Sequence, residues 1–396
     1  MCGVAKSEAE NHGTIVVGTP TTGLDVEGGP LRFGHGVLIQ DSSNNVFTNY
    51  GTIEAADGAS AIEVKTTGTA TAGNTLNFEA GSKVVGEVHI DTDVTGTVIN
   101  VNGFKGDLDL NNDSDDLTIN VKAGADLELT DGYGSVISEA NIESGKLTAS
   151  IWQSYEDANG EAASDNIFKK VVVKEDGIFN VKQLNSGGTK DKSHDTLLIK
   201  GSEWTLDGGA LQVDRQNFKG NLKVGTASDK SSFTIESGDY SYNTLTVGRE
   251  GTTNVNGGTL TVGDLTLLTK KGVDSNGSLT VGGDATLTVN GVLTANGDFA
   301  KGKGMTVEGD LVLGEDASLA LKAGALTVTG EMTATGEQIF TKNGESYVVS
   351  DQAKLIGFGA DSGLLITNTF STSQDKLQTF LSGLAGSVQN FVSVRS

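Results

Sequence analysis

Five acidic side chains in this 396-residue chain recur at a spacing that could hold a divalent cation. Val88 and Ile90, in the run Gly86-Glu87-Val88-His89-Ile90, match Leu108 and Leu110, 20 residues on. Leu127 and Leu129 follow 19 residues later. If residues one step apart become neighbours in space, Glu87, Asp107 and Asp126 form one outward column, and His89, Asp109 and Glu128 form the next. Ca²⁺–O distances of about 2.3–2.6 Å suit such a gap. Asn111, Asn112, Asp113, Asp115 and Asp116 would add oxygens beside the columns. Two readings stand. One is a cation ladder on Glu87, Asp107, Asp126, Asp109 and Glu128, with Ca²⁺ as the chain's one cofactor. The other is a hydrated acidic face whose mobile side chains absorb a like-charge repulsion of about 1 kcal/mol per pair. The glycine-rich nonapeptide of calcium-binding β-rolls is absent from the chain.

Other chemistry finds less support. No Ser sits in a nucleophile elbow. His12, His35, His89 and His194 are scattered, and none lies in a zinc-type H-E-x-x-H run. His194 and Asp195 are adjacent, so on a strand they point to opposite faces. The single cysteine, Cys2, has no partner for an intrachain disulfide. It reads either as an incidental thiol or, in Met1-Cys2-Gly3, as a lipid-bearing Cys behind a start Met. The expectation is therefore that the chain is not an enzyme. Trp152 and Tyr155 border a polar segment and are the candidate contacts for a sugar or a docked protein. Tyr240 and Tyr242 share one face and continue an apolar alternation, which predicts burial.

The elements that must position these residues are strands. Runs such as Thr75-Leu76-Asn77-Phe78 and Leu117-Thr118-Ile119-Asn120-Val121 alternate apolar with small polar residues and are punctuated by Gly, Asn and Asp. A repeat of about 20 residues recurs farther on, where Leu260 and Val262 match Leu279 and Val281, Leu267 matches Leu287 and Val307, and Leu293 matches Leu313 and Met332. Repeats this short cannot bury their own apolar face, so the chain must wind and stack. Stacking at roughly 4.8 Å makes inward ladders of Leu, Val and Ile. With 55 Gly at corners and 2 Pro, nearly every residue can join the ladder hydrogen bonds. The reading is an all-β, single-stranded solenoid of about 20 residues per coil, a narrow spike.

Its organisation is expected to be a tail over residues 1–12 and a solenoid over 13–368, with polar loops thrown out near 154–165 and 186–194. Residues 369–396 carry Leu377, Phe380, Leu381, Leu384, Val388 and Phe391 on one helical stripe, which predicts a short amphipathic helix that caps the last coil or links onward. A formal net charge of −23 excludes nucleic acid and an anionic membrane surface as partners. No run of about 18 apolar residues is present, so membrane insertion by a helix is not expected. The first residues lack the pattern of a secretory signal. That leaves a cytoplasmic protein or an exported one whose signal has been removed.

Asn49-Tyr50-Gly51-Thr52-Ile53-Glu54-Ala55, Asn74-Thr75-Leu76-Asn77-Phe78-Glu79-Ala80-Gly81 and Asn256-Gly257-Gly258-Thr259-Leu260-Thr261-Val262-Gly263 resemble the passenger repeats of bacterial autotransporters, proteins of type V secretion. The resemblance covers most of residues 13 to 340. It implies a right-handed parallel β-helix displayed outside a Gram-negative cell and serving adhesion, aggregation or biofilm formation. Its partners would be a host or bacterial surface protein or glycan, or a second copy. The family's C-terminal membrane barrel has no counterpart here, which suggests an excised passenger portion or else a different solenoid protein. No functional residue carries over, because the repeats define a scaffold. Two other readings stay open: a carbohydrate-active β-helix of the polysaccharide-lyase or tailspike kind, and a surface-layer or filament subunit.

Overall fold

The computed structural model describes residues 6–18, 34–130, 135–151, 167–182, 196–225, 230–268, 277–290 and 292–296, and then eight strands between 305 and 366. Among the described residues the chain is all-β, without a helix, and its strands lie in long, predominantly parallel sheets. The segments at 154–165 and 186–194, the helix expected at 369–396, and Trp152 and Tyr155 lie outside the described residues. Two compact units form. The first comprises Met1–Gln153, Asp157–Lys190 and Gly208–Asn217; the second comprises Ser154–Glu156, Asp191–Asp207 and Phe218–Ser396.

The first unit opens with three windings of three strands each. They are β1 (Glu8–Asn11), β2 (Thr14–Val17) and β3 (His35–Gln40); β4 (Val46–Asn49), β5 (Thr52–Ala55) and β6 (Ser60–Lys65); and β7 (Thr75–Glu79), β8 (Lys83–Val85) and β9 (Glu87–Ile90). Strand β1 lies inside the segment read from sequence as a tail, and it pairs in parallel with β4. The next windings drop the middle strand. They run β10 (Thr97–Asn102) to β11 (Lys105–Asn112), β12 (Leu117–Val121) to β13 (Asp126–Thr130), and, after the two-residue β14 (Val136–Ile137), β15 (Glu139–Ile142) to β16 (Lys146–Ser150). Strands β1, β4, β7, β10, β12 and β15 line up as sheet I, and β3, β6, β9, β11, β13 and β16 as sheet II. Strands β2, β5 and β8 form sheet III.

Period-two alternation puts every second side chain inside. Under sheet I, Leu76, Ile99, Ile119, Ala140 and Val171 stack in one buried column and Phe78, Val101, Val121, Ile142 and Val173 in the next. Under sheet II, Leu127, Leu147, Phe179 and Leu211 do the same. Each fully buried Leu or Val contributes on the order of 1.5–3 kcal/mol relative to exposure. The corner from sheet I to sheet II requires glycine. Gly124 has φ +76, and a Cβ on Gly145 would sit 2.6 Å from the carbonyl oxygen of Lys122.

The second unit repeats the scheme with heavier side chains. Trp204 and Phe233 lead a buried column that continues to Thr253 and Leu279, and Leu222, Leu245, Leu265 and Leu293 form another. Tyr242 is buried against Phe218 and Phe233, as its alternation predicts, whereas Tyr240 is half-exposed.

The recurrence length is looser than the sequence suggests. Thr97 pairs with Leu117, a step of 20, and Asp239 pairs with Thr259, also 20. Val46, however, pairs with Thr75, a step of 29, and Ala140 with Val171, a step of 31. Several expected matches therefore move. Leu260 faces Leu287, Val281 faces Val255, Leu267 faces Ala295 and Leu293 faces Leu319. Corner and loop residues stretch some windings without disturbing the strands they join.

Candidate functional site

The acidic columns are rearranged by a register two residues away from the expected one. Val88 faces Leu110 and not Leu108, so Glu87 stands beside Asp109. Asp107 faces Glu128, and Asp126 lies between Lys105 and Lys146. Alternation cannot detect this slip, because moving by two keeps every apolar residue inside. The chain has placed cations and amides among the carboxylates. Lys146 Nζ is 3.8 Å from Asp126 Oδ1, Glu128 is contacted by Lys182, and Arg215 Nη2 is 3.6 Å from Glu128 Oε2. Asn111 donates from Nδ2 to Glu87 Oε1 at 3.3 Å. Asn112 turns inward, donating to the Ser114 carbonyl at 2.7 Å and to the Val136 carbonyl. Asp116 accepts from the Gly96 amide at 2.9 Å, and Asp115 lies 3.4 Å from Lys169. Among the described residues no three His, Cys, Asp or Glu side chains converge in a way that could hold a metal ion.

The outer face of sheet II instead gathers histidines. His35 on β3, Glu63 and Lys65 on β6, and Glu87 and His89 on β9 all belong to the first three windings. Nδ1 of His35 contacts Oε2 of Glu63, Lys65 Nζ is 3.2 Å from Glu63 Oε1, and His89 Nδ1 is 3.3 Å from Glu87 Oε1. The His35 and Glu63 side chains are only 15% and 13% exposed. Burial holds His35 below the usual imidazole range; the Glu63 charge opposes that effect, while Lys65 and His89 add to it. His89 is shifted the other way. Its 3.3 Å contact with Glu87, close but not an aligned hydrogen bond, raises it against the cost of burial, and the charges of Glu87, Glu63 and Asp113 reinforce the rise. Two imidazoles on one surface thus hold opposite protonation preferences.

In the sequence these histidines are scattered, and His35, Glu63 and His89 are separated by unequal steps. One signal was present: Glu87 and His89 are two apart on a strand and must share a face. Nothing local indicates that Glu63 stands beside His89 across the ladder.

The outer face of sheet I carries a different array. Asn77, Asn100, Asn120 and Asn141 occupy equivalent positions in four successive windings. Asn77 donates to Thr48 Oγ1 at 3.0 Å, Asn100 to Asn77 Oδ1 at 2.9 Å, Asn120 to Asn100 Oδ1 at 2.9 Å and Asn141 to Asn120 Oδ1 at 3.0 Å. An amide carries both donor and acceptor, so identical residues satisfy one another up the stack. Just after β3, Asp41 is clasped by the turn between β6 and β7: by the Thr67 hydroxyl at 2.6 Å and by the amides of Thr67, Gly68 and Thr69 at 2.7, 2.9 and 3.1 Å. Those donors, the Thr67 hydroxyl first, hold the carboxyl well below the usual carboxylate range.

No protein-family model matches the chain, and no curated protein matches it.

Proposed function

We propose that this chain is a surface-displayed or secreted structural and adhesive β-solenoid, a right-handed parallel β-helix acting outside a Gram-negative cell. The observation that carries the reading is the repetition of outward polar groups in register, with Asn77, Asn100, Asn120 and Asn141 as its clearest case. A surface built this way offers the same small contact at every winding. Single contacts of that kind are weak, but several made together raise avidity by orders of magnitude. The parallel ladders keep the contacts at fixed spacing. The partner would be a glycan or protein on a host or bacterial surface, or a second copy of the chain.

The test is adsorption of the purified chain to beads at graded densities, followed by bead capture on bacterial and epithelial cells and bead–bead clumping. Capture or clumping that rises steeply with density supports the reading. Specific cleavage of a polysaccharide by the chain would favour the carbohydrate-active alternative, and fibres in electron micrographs would favour the filament alternative.

A further inference from the structure

In the cluster on sheet II, His35 lies on the first winding and contacts Glu63 of the second. Among the described residues, β3 pairs with β6 alone, whereas β6 pairs with β3 on one side and β9 on the other. A strand held on one edge opens at lower cost than one held on two. Strand β3 carries His35, whose Nδ1 is buried against Glu63 Oε2. Neither atom makes an aligned hydrogen bond among the described residues. Among the described residues, the charged groups facing His35 are Glu63 and Lys65 on β6 and His89 on β9. Of the other strands packed against β3, β2 carries no ionisable side chain, and Glu54 on β5 is engaged by Lys83 Nζ at 3.0 Å.

We propose that His35 is an acid-sensitive fastener of the first winding, so that proton uptake there releases β3 from β6 while the windings beyond stay closed. Closed, the imidazole sits in a mostly buried site beside Lys65 Nζ and in the field of His89. A proton on His35 must therefore be accommodated with little water and, among the described residues, one neighbouring carboxylate that is itself shared with Lys65. Once β3 lifts away, the same proton is hydrated. A group held below its free value is neutral in the closed form where it would be charged in the open one. The contact is therefore at full strength above the ordinary imidazole range and weakens as pH falls below it. His89 on the third winding is shifted in the opposite sense, so the same acidification tightens its contact with Glu87. The two histidines respond in opposite senses: the contact that holds the outermost strand, β3, weakens, while the contact within β9, two strands in, tightens.

Hydrogen exchange of the full chain tests this, following residues 35–40 relative to residues 97–102 from about pH 7.5 to about pH 5, a span that brackets the free imidazole value. After correction for intrinsic exchange, relative opening of 35–40 is expected to rise as pH falls, by up to about tenfold per pH unit for one coupled proton. His35→Asn removes that rise. Lys65→Gln, which takes a positive charge away from His35, shortens the pH span over which it occurs. A flat wild-type profile, or a His35→Asn profile with the wild-type slope, overturns the proposal. If His35→Asn leaves the first winding open at every pH, Lys65→Gln decides alone, and an unchanged span overturns it.

Discussion

On the outer face of sheet I, Asn77, Asn100, Asn120 and Asn141 hydrogen-bond to one another. On sheet II the same windings set Glu87 beside Asp109 and Asp107 beside Glu128, and they bring in Asn111, Lys182 and Arg215 as partners. A parallel, in-register stack repeats whatever it is given. Amides tolerate repetition because each is donor and acceptor, whereas carboxylates accept only and repel at the strand spacing. A column of one residue type is stable when the type is self-complementary. A charged column has to be interrupted.

The largest expected effect comes from Asn112, the sheet II amide that turns inward. Asn112→Ala strands the buried carbonyl of Ser114 and the part-buried carbonyl of Val136 and should cost about 2 kcal/mol in denaturant unfolding. Next is the amide ladder itself. Asn120→Asp removes the donor to Asn100 and places a charge between neighbours chosen for neutrality, for a loss of about 1–2 kcal/mol that reverses in part when the new acid is protonated. Asn120→Thr keeps a donor and an acceptor and should lose less. On the charged face, Lys146→Glu replaces a cation beside Asp126 with an acid and should cost about 1 kcal/mol at low salt, shrinking toward zero in about 1 M salt. The neutral ladder substitution Asn120→Thr should show no such salt dependence. Smallest is the clasp on Asp41. Because its carboxyl is held below the free value, its contribution is complete above the ordinary carboxylate range and fades as pH drops below it, and Thr67→Val should flatten that acid slope in a pH series of melting temperatures.

Much of the architecture was legible in the residues. Alternation in Leu117–Val121 and Thr75–Glu79 shows which side chains go inside, and the 20-residue step is real between Thr97 and Leu117. Register was not legible. A slip of two leaves Val88 and Leu108 both buried, so hydrophobic pattern alone cannot choose between Leu108 and Leu110 as the neighbour of Val88. The choice depends on how many residues each corner consumes, and corners such as Gly103 and Gly124 have no apolar pattern to count. The cation ladder on Glu87, Asp107 and Asp126 depended on that missing number. The cluster of His35, Glu63 and His89 was hidden for the same reason.

Register is also what the account stands on, and cross-linking measures it directly. In a Cys2→Ser background, Glu87→Cys with Asp109→Cys should form a disulfide readily on oxidation, and Glu87→Cys with Asp107→Cys should not. Efficient bridging of the second pair with failure of the first would contradict the stacking described here.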